Sequence, residues 1–64
     1  MNQRRSHMYD YKVVAIRIKM LKNKEENAKV LEEAINEQAR LGYRLNKITT
    51  VDTYLFYLTF EREL

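Results

Sequence analysis

The sequence contains no cysteine, no proline, one glycine and one histidine. Without cysteine, disulfides and thiolate zinc sites are both excluded. The single histidine, His7, and the single serine, Ser6, are neighbours near the N-terminus. Neither a Ser-His-Asp nor a Cys-His arrangement can therefore be assembled within the folded part. We expect a protein that is not an enzyme and that uses neither a metal nor a cofactor.

Long apolar runs are also absent, since no stretch approaches the ~20 residues that span a bilayer. The segment MNQRRSH, residues 1–7, lacks the apolar core of a secretory signal. The sequence thus predicts a cytoplasmic protein with no membrane partner. Residues 6–8 look like a cloning remnant, so residues 1–7 are interpreted as a flexible basic tail or such a remnant. Residues 8–64 are interpreted as a single domain.

The length of 64 residues allows one small domain. A chain of this size buries only about 60% of the surface that its unfolded form exposes. Small domains usually compensate with disulfides, a metal or self-association. Because disulfides and thiolate zinc sites are excluded here, we expect a homo-oligomer whose main partner is itself.

Positive charge is concentrated near the N-terminus. Residues 1–24 carry seven basic side chains against Asp10 alone, whereas residues 25–64 carry five basic and eight acidic ones. A basic arm can attract nucleic acid, although it is more often simply solvated. The candidate phosphate or nucleic-acid contacts are Arg4, Arg5, Lys12, Arg17 and Lys19.

Residues 9–20, YDYKVVAIRIKM, alternate and are rich in β-branched and aromatic side chains, which predicts a first strand. The phase of the alternation changes at Val13 and Val14. Either a β-bulge brings the apolar residues to one face, or the strand is regular and apolar on both faces. In the second case, which we favour, a helix covers one face and another subunit covers the other.

The next segment predicts an amphipathic helix. Asn23 and Glu26 have the spacing of a capping box, and the helix is expected to run to about Leu41. Its apolar residues project from one half of the cylinder and its charged residues, including two Glu-Glu pairs, from the other. Gly42 follows the last apolar position. We interpret it as the helix C-cap, because a left-handed backbone there costs glycine least.

Two further strands follow the helix. Residues 43–50 predict a second strand, residues 51–53 a tight turn without the usual glycine, and residues 54–63 a third strand. The third strand is apolar on both sides and is therefore placed in the middle. The predicted fold is α+β, a β-α-β-β domain whose three-stranded sheet has the order 1-3-2 and carries one helix on one face.

One helix can cover only one face of three strands. The opposite face would expose apolar side chains, and a contiguous patch of several hundred Å² exceeds what soluble monomers normally show. We expect a second copy to cover this face; the rival explanation is that a bulge and the N-terminal segment hide it. The predicted self-association face comprises Tyr11, Val13, Leu55 and Tyr57.

Three segments carry a resemblance: YKVV in the first strand, LEEAINEQARLGYRL across the helix end, and the closing LFYLTFERE. They resemble a family of small bacterial and phage proteins known only as a domain of unknown function. That family has a YKVV-like strand, a helix of the form LEExLNxxxxxG, a Gly-Trp-Glu-Leu motif and a last strand ending in KRE or ERE. The resemblance covers residues 9–63 and implies the β-α-β-β fold, without an activity or a catalytic residue.

The Gly-Trp-Glu-Leu motif corresponds to residues 42–45, with two departures from the family pattern. Tyr43 stands in place of tryptophan, which keeps a large ring packed behind the helix end. Arg44 stands in place of glutamate, which argues against an acidic role at that position.

Three functional interpretations stay open. The favoured one is a non-enzymatic homo-oligomer that serves as an interaction or regulatory module. The first alternative is a nucleic-acid-binding accessory protein that uses the basic arm and the first strand, although Phe56 and Phe60 fit a core better than base stacking. The second is an oligomer that sequesters a small nucleotide-like ligand. Its pocket residues would be Arg17, Lys19, Arg44, Lys47 and either Tyr54 or Tyr57.

Overall fold

The computed structural model describes residues 8–20 and 22–64; the predicted tail, residues 1–7, lies outside them. The elements follow in the order β1 (Tyr9–Arg17), α1 (Lys24–Arg40), β2 (Arg44–Asp52) and β3 (Leu55–Glu63). The three strands form one sheet of order β1-β3-β2, with both pairings antiparallel. Strands β1 and β2 therefore run in the same direction on either side of β3. The predicted β-α-β-β fold is confirmed.

Strand β1 is regular along its whole length. Its pairing with β3 runs without a shift from Tyr9 opposite Glu63 to Arg17 opposite Leu55. The phase change at the two central valines is therefore not a bulge, and the interpretation as a regular strand with apolar residues on both faces is confirmed. Because side chains alternate along a strand, neighbouring positions of β1 face opposite sides of the sheet.

The first strand is three residues shorter than predicted. Just beyond the strand, Ile18 N donates a hydrogen bond of 2.8 Å to Tyr54 O in the turn before β3. The chain is then held by Asn27 in the first part of α1, whose side-chain amide donates to Lys19 O and accepts from Lys19 N. This side chain takes the place of a strand partner, and so the backbone leaves the sheet and turns into the helix.

The start of α1 confirms the predicted capping box. The side-chain oxygen of Asn23 accepts from Glu26 N at 2.8 Å, and the Glu26 carboxylate accepts from Asn23 N at 3.3 Å. Two backbone N–H groups that lack helical partners are satisfied in this way. The same sequence signal thus sets both the first residue of the helix and the direction in which it departs.

The end of α1 explains the single glycine. Leu41 holds the cap position, and Gly42 follows it with φ of +91°. Gly42 N donates to Ala39 O and Tyr43 N donates to Gln38 O, both at 3.0 Å, which is the pattern of a Schellman motif. The C-cap is therefore one residue earlier than predicted, but Gly42 supplies the left-handed backbone that ends the helix.

Strand β2 is an irregular edge strand. Its register with β3 shifts twice, between Leu45 and Lys47 and again between Thr50 and Asp52. Such bulges, with exposed lysine, protect an edge from pairing with other chains. The strand runs to Asp52, so the predicted turn is displaced to residues 53–54. There the Asp52 carboxylate accepts a hydrogen bond from Tyr54 N at 2.8 Å. This bond stabilises a tight turn that has no glycine.

The core is small. Among the described residues, only Leu58 and Phe60 of β3 are completely excluded from water, and Tyr43 is 8% exposed. Helix α1 has no fully buried residue and packs on this core through half-buried side chains. The half-buried residues around the core are Val14, Ile16, Leu31, Ala34, Ile35 and Leu45. The helix thus covers one face of the sheet, and incompletely.

Candidate self-association surface

The face of the sheet opposite α1 is here called the outer face. Alternation and register place five residues of β1, five of β3 and the β2 residues paired with them on this side. From β1 and β3 they are Tyr9, Tyr11, Val13, Ala15, Arg17, Leu55, Tyr57, Thr59, Glu61 and Glu63. From β2 they are Arg44, Lys47, Thr49 and Asp52. No helix or strand of the described residues covers this surface.

All four residues predicted for self-association lie on the outer face. Tyr11, Val13 and Tyr57 are 57%, 60% and 41% exposed, and Leu55 is half-buried. They occupy neighbouring strands, with Tyr57 directly opposite Ala15 in the register. The structure therefore brings the four into one surface. That a second copy covers this surface stays a prediction.

The outer face is mainly apolar along its β1 edge and polar along its β2 edge. The β1 edge is apolar apart from Arg17, and the rings of Tyr9 and Tyr11 are tilted against each other with centroids 6.1 Å apart. The β2 edge is polar. At one end, Arg44 Nε donates to the Glu61 carboxylate at 2.9 Å, across a directly paired position of the two strands.

The candidate phosphate contacts are not brought together. Arg4 and Arg5 lie outside the described residues. Lys12 is on the helix side of β1, whereas Arg17 is on the outer face and Lys19 is exposed beyond the end of the strand. Lys12 and Arg17 therefore lie on opposite sides of the sheet, so the three described basic side chains do not all share one surface.

The other predicted ligand contacts are only partly assembled. Arg17, Arg44, Lys47 and Tyr57 share the outer face, which is open, and no enclosed cavity is found within residues 8–20 and 22–64 of one chain. Phe60 is fully buried. Phe56, on the same side of β3, is half-buried. The expectation that both phenylalanines belong to the core side is confirmed.

A group of polar side chains surrounds Tyr43 at the end of the sheet near the helix C-terminus. The Tyr43 hydroxyl donates to Asp10 Oδ2 at 2.7 Å, and Arg62 Nη2 donates to the same oxygen at 2.8 Å. The Arg62 guanidinium lies 4.5 Å from the Tyr43 ring centroid and Lys12 Nζ lies 4.8 Å from it. Lys12 also donates to the Gln38 side chain at 3.1 Å. These five residues are the Tyr43 cluster.

The Tyr43 cluster fixes the end of α1 to two strands. Arg62 Nη1 donates to Leu41 O at 3.3 Å, a carbonyl that lacks a helical partner. The stem of Arg62 also lies 3.4 Å from where a β-carbon on Gly42 would be, so the left-handed turn and β3 fit closely. The partly exposed ion pair between Arg62 and Asp10 orients these groups more than it stabilises the fold.

Sequence reasoning missed the Tyr43 cluster. Its partners are 26, 33 and 52 residues apart along the chain, and no periodicity connects them. The one available signal was in β1, where alternation places Asp10 and Lys12 on the helix side with Val14. Charged groups on a side that packs against a helix need polar partners.

The Tyr43 cluster lowers the pKa of Asp10 and raises the pKa of Tyr43. The hydrogen bond from Tyr43, followed by the hydrogen bond and charge of Arg62, lowers the pKa of Asp10 below its ordinary value, although partial desolvation opposes the change. The hydrogen bond to Asp10, with desolvation, raises the pKa of Tyr43. Both shifts favour the state with an ionised carboxylate and a neutral phenol.

These shifts predict how stability depends on pH. The Asp10 contribution is complete above the ordinary Asp pKa of about 3.9 and is lost as pH falls through the lowered folded-state value. The Tyr43 contribution is complete below about pH 10 and is lost as pH rises through the raised value. Unfolding midpoints measured against pH should therefore be highest between these limits and fall on both sides.

Tyr43→Phe removes the shared hydrogen bond and tests its role. In this variant we expect the carboxyl NMR titration of Asp10 to move up towards its ordinary pKa, and the alkaline fall in stability to shrink. Tyr54→Phe is the matched control, because it leaves the bond to Asp10 in place. If the Asp10 titration is the same in the wild type and in Tyr43→Phe, the bond does not exist in solution.

No helix of the described residues is both long enough and apolar enough to cross a bilayer. Within the same part of the chain, no three histidine, aspartate or glutamate side chains converge as metal ligands would.

Element order, strand pairing and the single helix define the chain as a small α+β domain of the β-α-β-β type. One family model matches it over residues 9–63, from the first residue of β1 to the last residue of β3: Domain of unknown function (DUF4177). The chain belongs to this family, as the resemblance implied. No curated protein and no solved structure matches it.

Proposed function

We propose that the protein is a non-enzymatic interaction module that works as a homo-oligomer and associates through the outer face of its sheet. The observation that carries this proposal is the exposure of Tyr11, Val13 and Tyr57 on adjacent strands, at 57%, 60% and 41%. Isolated exposed apolar residues are normal on protein surfaces, but a contiguous group on an uncovered sheet face is typical of an interaction site.

The size of the core gives independent support. Only Leu58 and Phe60 are fully buried among the described residues, and the chain has no cysteine with which to form disulfides. Domains of this size rarely reach ordinary stability through one small core. Burial of the outer face against a second copy would add a second apolar layer on the other side of β3.

The available area comes close to that of a stable interface if all of the outer face is used. Nine-residue strands about 30 Å long, in a sheet of three strands about 14 Å wide, give a projected face of roughly 400 Å². Two copies would bury about twice this projected area, and more when side-chain relief is included. Stable interfaces begin at about 1,000 Å² of total accessible surface. The ends of the face must therefore take part along with its centre.

The two rival functions receive less support from the same residues. Nucleic-acid binding needs phosphate contacts on one surface, but Lys12 is engaged with Gln38 and Tyr43 on the helix side, away from Arg17. A nucleotide pocket would need walls that the open outer face of one chain does not have. A second copy would have to supply those walls, so this function presupposes the association proposed here.

The concentration dependence of unfolding tests the proposal. If the folded form is an oligomer, dilution favours unfolding by mass action. For a dimer, a tenfold dilution should lower the urea midpoint by roughly 0.5–1 M. A midpoint that is unchanged over a hundredfold range of concentration would show that the chain folds alone, and the proposed association would be wrong.

A further inference from the structure

We infer that two copies stack outer face on outer face with opposite ends together, so that β1 of one copy lies on β1 of the other and Arg17 meets the Glu61–Glu63 end. This arrangement rests on the proposed self-association and specifies its geometry. It corresponds to a two-fold axis that lies between the sheets and crosses the strands at their middle, near Val13 and Thr59.

The distribution of apolar side chains favours this axis. On the outer face, β1 presents Tyr9, Tyr11, Val13 and Ala15, whereas the β2 edge presents charged and hydroxyl groups. A two-fold axis across the strands places each strand on its own counterpart. The apolar β1 edges of the two copies then pack on each other. The polar β2 edges of both copies lie at the rim, where protein interfaces are usually polar.

The charges at the two ends are compatible with the same axis. Arg17 is exposed at the end of β1, and Glu63 lies at the opposite end of β3 on the same face, next to Glu61, which is paired with Arg44. With opposite ends together, Arg17 of one copy approaches Glu63 and the ring of Tyr9 of the second copy. Both contacts are favourable, one as an ion pair and the other as a cation–π contact.

The competing two-fold axis runs along the strands and brings like ends together. It places β1 on β2 of the second copy, so that Val13 faces Lys47, and it places β3 on β3. It also places Arg17 opposite Asp52 of the second copy, which is a favourable pairing, so the loss of apolar contact along β1, and not the charges, counts against this axis. Aligned sheets pack within about 30° of each other in either case, so twist does not distinguish the two arrangements.

Spin labels on single cysteines can separate the two arrangements, since the chain has no cysteine of its own. Thr53 is exposed in the turn at one end of the sheet, and Met8 is exposed just before β1 at the other end. Each variant, Thr53→Cys or Met8→Cys, is labelled separately and measured by pulsed dipolar EPR. With opposite ends together, the two labels in a dimer should be roughly 33 Å apart, from ten residues of strand at 3.3 Å each.

The measured distances test the stacking arrangement separately from self-association. A distance of about 33 Å for both variants, with an added distance below about 20 Å in their equimolar mixture, supports the arrangement. A distance below about 20 Å in the separate samples overturns the arrangement but leaves self-association intact. No dipolar coupling at high concentration overturns both. Circular dichroism of each labelled variant confirms that it is folded, and the two positions serve as independent copies of the test.

A charge exchange gives a second test that needs no label. Arg17→Glu should weaken association about 3- to 10-fold, because the introduced carboxylate of one copy then meets the Glu61–Glu63 end of the other. Glu63→Arg in the same chain should restore it. Lys29→Glu is the control, since it makes the same change of charge at an exposed position of α1, on the other side of the sheet. Failure of the second substitution to restore association would overturn the pairing of Arg17 with the acidic end.

Discussion

Leu58→Ala should remove about 2–5 kcal/mol of the free energy of unfolding, the usual cost of emptying a fully buried leucine site. Leu58 lies in the middle of β3 between both other strands, with no exposure to water. Domains of this size have roughly 3–10 kcal/mol of stability in total. The variant should therefore be largely unfolded under conditions in which the wild type is folded.

Ile48→Ala is the matched control for this substitution. Ile48 pairs directly with Leu58 from strand β2, on the helix side, but it is 47% exposed. Its truncation should cost about 1 kcal/mol or less, because half of the side chain is already in water. Urea unfolding followed by circular dichroism measures both. Equal losses for the two variants would mean that the core is not centred on β3.

Val13→Lys should raise the dissociation constant of the oligomer at least 100-fold while leaving the single chain folded. Val13 is 60% exposed at the middle of β1, so a lysine there is nearly neutral for one chain. In the proposed arrangement it lies against Val13 of the second copy. Two desolvated ammonium groups would then face each other, which costs several kcal/mol.

Ile48→Lys is the control for Val13→Lys. Both replace an exposed β-branched residue in an edge strand with the same charge, but Ile48 lies on the helix side of the sheet. Sedimentation velocity at matched concentrations should show dissociation for Val13→Lys alone. Dissociation by Ile48→Lys instead would place the interface on the other side of the molecule, near Ile48 and the exposed Val51.

Local signals in the sequence predicted the parts of the fold that local chemistry determines. The Asn23–Glu26 spacing identified the helix start, and Gly42 identified its end, because capping requires particular side chains at fixed offsets. The apolar character of both sides of β3 identified the central strand. The four residues expected on the uncovered face all lie there, since period-2 alternation assigns each residue of a regular strand to a face.

Features that depend on distant partners or on irregular backbone were not predicted. The bulges of β2 shift its pairing register with β3 around Asn46 and Val51, and no residue type there indicates a bulge. The Asp52 side chain completes the turn that glycine usually makes. The bond from Tyr43 to Asp10 joins the residue after Gly42 to strand β1, so only the assembled fold brings the two together.

The central claim is that a second copy of this chain covers the outer face. Sedimentation equilibrium of the unmodified protein measures the molar mass without assumptions about shape. The account predicts a multiple of the chain mass of 7.8 kDa that falls towards 7.8 kDa on dilution. A cooperatively folded particle of 7.8 kDa at millimolar concentration would contradict it, and Tyr11, Val13 and Tyr57 would then be exposed to water in the functional molecule.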